Sequence, residues 1–436
     1  MSIDRRSFFR LSAVAAGSTL VSSCAGPAEA PRPAGAPSPA LSGEAAVPEA
    51  IRRLTPMTDG IVPITDEERK ARIEKARRLM AENRIDAIYL EAGTGLFYFT
   101  GVRWGGSERM FAAVLPARGD IAWVCPKFEE GRAREVVRFG TDIRTWEEDE
   151  DPGRLVAQIF KDRRIATGRI GIEERARFFL YDMIRKAAPG LEYVIADPVT
   201  VGCRVIKSAT EIALMQRATD ITIAAYKAAI ATIHEGMTKA EFAANAVAAH
   251  KALGVEGSIG AGFGELTASP HGSIKPRNVR EGDIVLMDGG CSVDGYRSDI
   301  SRTIVFGKPT QRQKDVWDLE KRAQAAAFAA AKLGVPCEAV DAAARKVITD
   351  AGFGPDYKVP GLPHRTGHGI GLDGHEAINL VRGNKTPLAV GMCFSNEPMI
   401  AIPGEFGIRI EDCMYITEQG AKFFSQPSPS IDQACA

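Results

Sequence analysis

Charged and apolar residues alternate with helical spacing from Asp66 to Asn83, and the short apolar run Asp86-Ala-Ile-Tyr-Leu-Glu91 that follows has the length of a strand. Two more apolar runs, Phe111 to Pro116 and Ile121 to Pro126, flank the turn residues Ala117-Arg-Gly-Asp120 and predict a hairpin; Arg169 to Glu173 reads as another strand. Interleaved helix and strand patterns predict a mixed α/β domain over residues 65–204. Ser208-Ala-Thr-Glu211 then has the form of a capping box, in which a hydroxyl and a carboxylate satisfy exposed helix-start amides. It predicts a helix through Ile212 to Ile233, followed by a second from Lys239 to Leu253. Helical patterns return at Gln311 to Leu333 and Glu338 to Ala351. A second domain over 205–425 is thus organised as helix pair then hairpin, repeated.

The two hairpins share one template. The first runs Gly282-Asp-Ile-Val-Leu-Met-Asp288 and Gly295-Tyr-Arg-Ser-Asp299; the second runs Gly391-Met-Cys-Phe-Ser-Asn-Glu397 and Gly407-Ile-Arg-Ile-Glu411. In each, a glycine stands six residues before the first acid, another four before the second, and an arginine two before it. Each apolar run predicts a buried strand that carries its terminal acid into the interior, where an unpaired carboxylate costs several kcal/mol. Four such acids cannot all stay ionised close together without a cation, so the duplication predicts a metal cluster at a pseudo-twofold axis.

Three of the six histidines fall between the two copies, in His364-Arg-Thr-Gly-His368-Gly-Ile-Gly-Leu-Asp-Gly-His375-Glu376, and a fourth stands in Ser269-Pro-His271-Gly272. Carboxylates with one imidazole form a hard to borderline donor set, suited to paired Mn, Co, Zn or Fe and unlike the thiolate set of a structural zinc. Lysine plus arginine equals aspartate plus glutamate, 55 each, so net charge does not point to nucleic acid or to an anionic membrane. The cysteines beyond Cys24 are scattered without CxxC spacing, which predicts small buried side chains rather than a zinc ribbon or a disulfide framework.

The first residues read as an export signal, over 1–30. Arg5-Arg6-Ser7-Phe8-Phe9-Arg10 is a twin-arginine pattern, with Asp4 in place of the usual serine or threonine, and the apolar stretch Leu11 to Val21 is too short to span a bilayer. Two release sites stay open: Val21-Ser22-Ser23-Cys24, which would lipidate Cys24 and leave a membrane-anchored lipoprotein, and Ala28-Glu29-Ala30, which would free a periplasmic protein. Proline and alanine dominate from residue 25 to about 50, which suits a flexible tether; 31–64 is read as a Pro/Ala-rich linker and 426–436 as a loose tail.

At these acids and histidines the chain resembles the M24 metallopeptidases of pita-bread fold, in particular their Xaa-Pro dipeptidase and Xaa-Pro aminopeptidase branch. Asp288 and Asp299 eleven apart, Gly-His-Gly-Ile-Gly around His368, Glu397-Pro398 and Glu411 within Ile410-Glu-Asp412 carry the likeness, which spans roughly 65–425 and includes a creatinase-like amino-terminal domain. The resemblance implies an α/β (α+β) architecture and two divalent ions, Mn first among the candidates. It implies that Asp288 binds one ion, His368 and Glu397 the other, and that Asp299 and Glu411 bridge them. It further implies that the ions activate a water for attack on a peptide carbonyl, that Glu397 relays the water's proton, that His271, His364 and His375 line the substrate side with His375 on the carbonyl or leaving group, and that Arg409 orients Glu411. The implied partners are short proline-containing peptides and, by family habit, a second copy of the chain.

Other groups have plainer readings. Asp294 and Asp412, with Asp373 and Glu376, are expected to be solvent-facing or supporting; His234 and His250 lie on helices without partners; Arg297 is either a counterpart of Arg409 or a surface charge. Two other functions keep the same fold: a non-peptide amide hydrolase or lyase using the same metal site, and an inactive binding protein. A methionine aminopeptidase is disfavoured, because that branch usually lacks the amino-terminal domain.

Overall fold

The computed structural model describes residues 47–436. The twin-arginine pattern, Cys24, both release sites and the first part of the expected linker lie outside the described residues. Beyond α1 (Glu49–Arg52), the amino-terminal region alternates α2 (Asp66–Asn83), β1 (Ala87–Glu91), α3 (Thr94–Thr100), β2 (Ala112–Pro116), β3 (Ala122–Pro126), α4 (Glu130–Val136), β4 (Asp142–Trp146), α5 (Pro152–Asp162), β5 (Arg169–Ile172), α6 (Phe178–Ala187), β6 (Glu192–Ile195) and α7 (Asp197–Arg204). The sheet order is β4-β3-β2-β1-β5-β6. Every residue of β1 is buried because both faces are covered: Ile88 and Leu90 join the core that includes Ile73, Ala76 and Met80 of α2, while Ala87 and Tyr89 join Val156, Ile159 and Phe160 of α5. The predicted hairpin of β2 and β3 and the helix over Asp66–Asn83 are both present.

The second region follows the repeated plan. Helices α8 (Ala209–Ile230) and α9 (Lys239–Ala252) precede β7 (Gly257–Phe263), β8 (Ile284–Val293), β9 (Tyr296–Arg297) and β10 (Ile300–Val305); α10 (Gln311–Ala330) and α11 (Cys337–Asp350) precede β11 (Gly367–Gly369), β12 (Glu376–Leu380), β13 (Cys393–Asn396), β14 (Met399–Ile402), β15 (Phe406–Arg409), β16 (Asp412–Thr417) and β17 (Gly420–Phe423). The capping box is formed: the Ser208 hydroxyl accepts from Glu211 N at 3.2 Å, and the Glu211 carboxylate accepts from Ser208 N at 2.7 Å. The first sheet runs β10-β8-β7 and the second β12-β11-β13-β16-β17. They meet where Ser301 and Glu411 pair as an isolated antiparallel bridge. Helices α8 and α9 share a core with the first sheet through Leu214, Ala218, Phe242 and Ala246, whereas the core of α10 and α11, through Val316, Trp317, Val340 and Ala344, holds Phe394 and Met414 of the second sheet and also Ile284 and Leu286 of β8.

Three expectations are corrected. Strand β7 is absent from the sequence reading because Gly-Ser-Ile-Gly-Ala-Gly-Phe has weak strand propensity; it forms by pairing with β8 from Gly257 opposite Cys291 to Phe263 opposite Val285. The described end of the linker is seated rather than loose, with Ile51 and Ile64 buried and Met57 N donating to Leu253 O at 3.0 Å. Residues 426–436 are also packed: Ser428, Ile431, Ala434 and Cys435 are buried, and Lys321 Nζ donates to the Ser428 carbonyl at 2.6 Å. In both segments a few apolar side chains suffice to offset chain ordering, although polar and proline residues dominate the composition. All seven described cysteines are buried and unpaired.

Candidate active site

The nine residues singled out in the sequence converge. His271, Asp288, Asp299, His364, His368, His375, Glu397, Arg409 and Glu411 all line one cavity of about 460 Å³, together with Arg365. Asp288 lies within β8 rather than at its end, and its side chain opens into this cavity with 45% of its surface exposed, so the expectation of a buried strand-end acid does not hold there. Its partner acid Asp299 stands between β9 and β10. Glu397 follows β13 directly, and Glu411 stands between β15 and β16. Main-chain bonds from Glu397 N to Thr366 O at 2.8 Å and from Glu411 N to Ser301 O at 3.1 Å fix the last two.

His368 is oriented by its own strand. Its backbone N–H donates to Ser395 Oγ at 3.0 Å, and its Nδ1 lies 3.1 Å from the Gly369 carbonyl, which can only accept. That bond places the proton on Nδ1 and turns Nε2 toward Glu397 Oε1 at 3.1 Å and Asp299 Oδ2 at 3.8 Å. The ligand atoms of His368, Glu397 and Glu411 lie within 4.8 Å of one another, as do those of Asp288, Asp299 and Glu411, so Glu411 belongs to both groups. His375 forms a further such group with Asp299 and His368.

The electrostatics are those of a crowded acid cluster. Burial, with the carboxylates of Asp288 and Glu397, pushes Asp299 up to about 7. Burial also drives Glu411 well above the usual carboxylate range, aided by Asp299, Glu397 and Asp288. Burial would raise Glu397 too, but in the metal-free site a second proton on His368, carried on Nε2 and donated to Glu397, holds it at about 2. His368 is pulled down by burial and raised on balance by Glu397 and Asp299.

These residues fit a pair of divalent ions. The donor set is four carboxylates and one imidazole, and Glu411 Oε1 is fully buried with no hydrogen-bond partner among the described residues. A buried carboxylate oxygen left without a donor is costly, and a cation between the two groups would satisfy it while relieving the repulsion among the acids.

Arg409 differs from its expected role. It pairs with Asp288 Oδ2 at 2.6 Å and donates through Nη1 to Pro270 O at 3.1 Å, reaching Glu411 only through Ser301. Arg409 Nε donates to Ser301 Oγ at 2.9 Å, and that hydroxyl donates to Glu411 Oε2 at 2.6 Å. The cause is register: Ser301 stands directly opposite Glu411 and shields it from the guanidinium. Arg297, its positional counterpart, donates from Nε to Leu372 O at 3.3 Å and makes no bond to the acids.

Among the histidines, the ring of His375 lies 3.9 Å from that of His368 at 38°. Its Nδ1 is 3.0 Å from Arg365 Nη2, and because a guanidinium only donates, Nδ1 accepts and the proton resides on Nε2. Burial, with the charge of His368, lowers the His375 pKa. His364 Nδ1 bonds the Arg365 carbonyl at 2.7 Å, Nε2 is buried without a partner among the described residues, and burial lowers the pKa. Sequence reasoning missed Arg365 and Ser301. Arg365 carried a usable signal, since it sits inside the histidine stretch; Ser301 carried none.

The plainer groups also move. Asp412 is not solvent-facing: it is fully buried against Arg302 at 2.6 Å and accepts from Gln324 Nε2 at 3.0 Å. Glu376 is likewise buried and paired with Arg204 and with Lys207 at 2.9 Å. Asp294 accepts from Ile64 N at 3.2 Å. His250 is buried with Nδ1 on the Ala246 carbonyl at 2.9 Å, whereas His234 is exposed and lies 3.6 Å from Glu241. A smaller apolar recess of about 260 Å³, with Gly262, Leu266, Pro270 and Leu286 in its walls, shares His271, Asp288 and Arg409 with the main cavity.

Comparison with known proteins agrees with this architecture. Residues 213–418 match the model of metallopeptidase family M24, and residues 72–206 match that of the Creatinase/Prolidase N-terminal domain. An uncharacterized peptidase of Schizosaccharomyces pombe is 35% identical over 396 residues, covering 86% of this chain and 85% of that protein. The Xaa-Pro dipeptidase of Lactobacillus delbrueckii subsp. lactis is 30% identical, covering 82% and 98%. The crystal structure of dipeptidase PepE from Mycobacterium ulcerans superposes with a TM-score of 0.78 at 32% identity, covering 86% of this chain and all of that one.

Proposed function

The chain belongs to metallopeptidase family M24, and on that footing we propose that it is a two-metal exopeptidase that hydrolyses short peptides at Xaa-Pro bonds, with Mn first among candidate ions that also include Co, Zn and Fe. The observation that carries the reading is the shared position of Glu411 in two ligand groups within one cavity. When bound, two divalent ions would supply Lewis acidity that lowers the pKa of the attacking water and polarises the substrate carbonyl. Asp288, Asp299, His368, Glu397 and Glu411 would hold them.

The remaining work falls to the chain's own side chains. Glu397, whose carboxylate lines the cavity beside His368 and Glu411, would be the base that takes a proton from the attacking water. His375, neutral with its proton on Nε2, is a donor for the carbonyl oxygen or the leaving nitrogen. The apolar recess beside His271 and Asp288 suits an uncharged side chain next to the scissile bond. The proline preference rests on the relatives' activity: the imide nitrogen before proline carries no proton, so a peptidase that grips its substrate as a strand handles that bond badly.

The test is to reconstitute the purified protein with Mn or Co and offer Gly-Pro, Ala-Pro and an Xaa-Pro-Xaa tripeptide. Release of a free amino-terminal residue from the dipeptides marks a dipeptidase, and release from the tripeptide as well marks an aminopeptidase. Bound metal without hydrolysis of any of them overturns the peptide reading in favour of a non-peptide substrate. Export is proposed on Arg5-Arg6 and the apolar stretch behind them. Replacing both arginines by lysine should trap the protein in the cytoplasm, and Cys24→Ser should release it from membranes if Cys24 is the lipidated residue.

A further inference from the structure

We propose that the amino-terminal domain is a positioning element for His375, acting through a charged clamp on the turn that carries it; the inference rests on the peptidase reading for its catalytic consequence. Two acids stand on either side of His375, Asp373 in the turn between β11 and β12 and Glu376 as the first residue of β12. Three side chains from residues 72–206 grip it. Thr94 Oγ1 donates to Asp373 Oδ1 at 2.7 Å, Arg204 Nη2 to Asp373 Oδ2 at 2.7 Å, and Arg175 Nη2 to the carbonyl of His375 itself at 3.0 Å. Arg175 Nη1 also lies 3.1 Å from Asp373 Oδ1.

Glu376 closes the clamp from inside. It accepts from Arg204 and from Lys207 Nζ at 2.9 Å, and returns the constraint to the turn by accepting from Leu372 N at 3.0 Å. Gly371 permits this, since a Cβ there would meet Glu376 Oε1 at 2.7 Å. The catalytic domain contributes main-chain contacts to the same turn, Arg297 N to Gly371 O at 2.8 Å and Arg297 Nε to Leu372 O at 3.3 Å. Buried charge pairs of this kind add little net stability but define geometry sharply, because each charge is costly without its partner. A donor that must meet a developing oxyanion within a fraction of an ångström is where that precision has value.

The experiment compares the wild-type protein, Arg175→Ala, and the Thr94→Val/Arg175→Ala double variant, each also in a His375→Ala background. Arg175 is 54% exposed, so its truncation alone leaves the buried Arg204–Glu376 pair intact and the fold secure. Amides of 371–376 should exchange with deuterium about tenfold faster in the double variant, while those of β13 stay unchanged. Metal content should be unaltered, kcat should fall by about tenfold to a hundredfold, and KM should change less than kcat. In the His375→Ala background the additional loss should vanish. Unchanged exchange in folded variants, or a rate loss that persists undiminished without His375, overturns the proposal. If the wild-type protein cleaves no Xaa-Pro peptide, the functional reading fails by itself, and the exchange measurement still decides whether the clamp holds the turn.

Discussion

Ser301 and Glu411 face each other across the junction of the two sheets, with the Glu411 amide donating to the Ser301 carbonyl at 3.1 Å and the Ser301 hydroxyl donating to Glu411 Oε2 at 2.6 Å. This contact joins the two copies of the hairpin template. It leaves the other Glu411 oxygen, which has no donor among the described residues, to the acid cluster.

Glu411→Ala should therefore lower metal content and abolish turnover together, because Glu411 is the one side chain common to both three-residue groups that contain a second carboxylate. Elemental analysis of the purified variant, alongside an assay of proline release, checks this. Full activity in the variant would refute the ligand assignment.

His375→Ala should behave differently, keeping its metal while losing about a hundredfold or more of the rate. Its Nδ1 is engaged by Arg365, so its role is carried by the Nε2 proton. Metal loss in this variant would instead place His375 with Asp299 and His368 as a ligand.

The metal-free protein should lose stability as pH rises. Asp299, at about 7, and Glu411, higher still than an ordinary carboxylate, hold protons in the folded state that the unfolded chain releases near pH 4. The unfolded state thus binds fewer protons across that window, so the slope of stability against pH is negative from about 4 through 7. Glu173, also raised to about 7 by burial, contributes with the same sign whether or not metal is present. Melting temperatures with and without Mn should consequently diverge across pH 5 to 8, and parallel curves would contradict the cluster.

Asp412→Ala should cost about 3–5 kcal/mol in urea unfolding, because it strands the Arg302 guanidinium in the interior. A loss below about 1 kcal/mol would show that water or another acceptor reaches Arg302.

Much of this protein was legible from local pattern. Strand period, turn glycines and the Ser208 capping box depend on dihedral preference and on neighbours a few residues away, so the helix over Asp66–Asn83, the hairpin of β2 and β3 and the repeated helix-pair plan were readable in order. The duplicated acids and the histidine stretch marked the cavity for the same reason, since their spacing is itself local. What remained hidden was settled by contacts between distant parts of the chain. Arg302 meets Asp412 across 110 positions, Arg204 meets Glu376 across 172, and Ser301 displaces Arg409 from Glu411 through a register that neither hairpin encodes alone. Whether a charge is a surface group or a buried partner depends on what packs over it, and only the assembled core decides that.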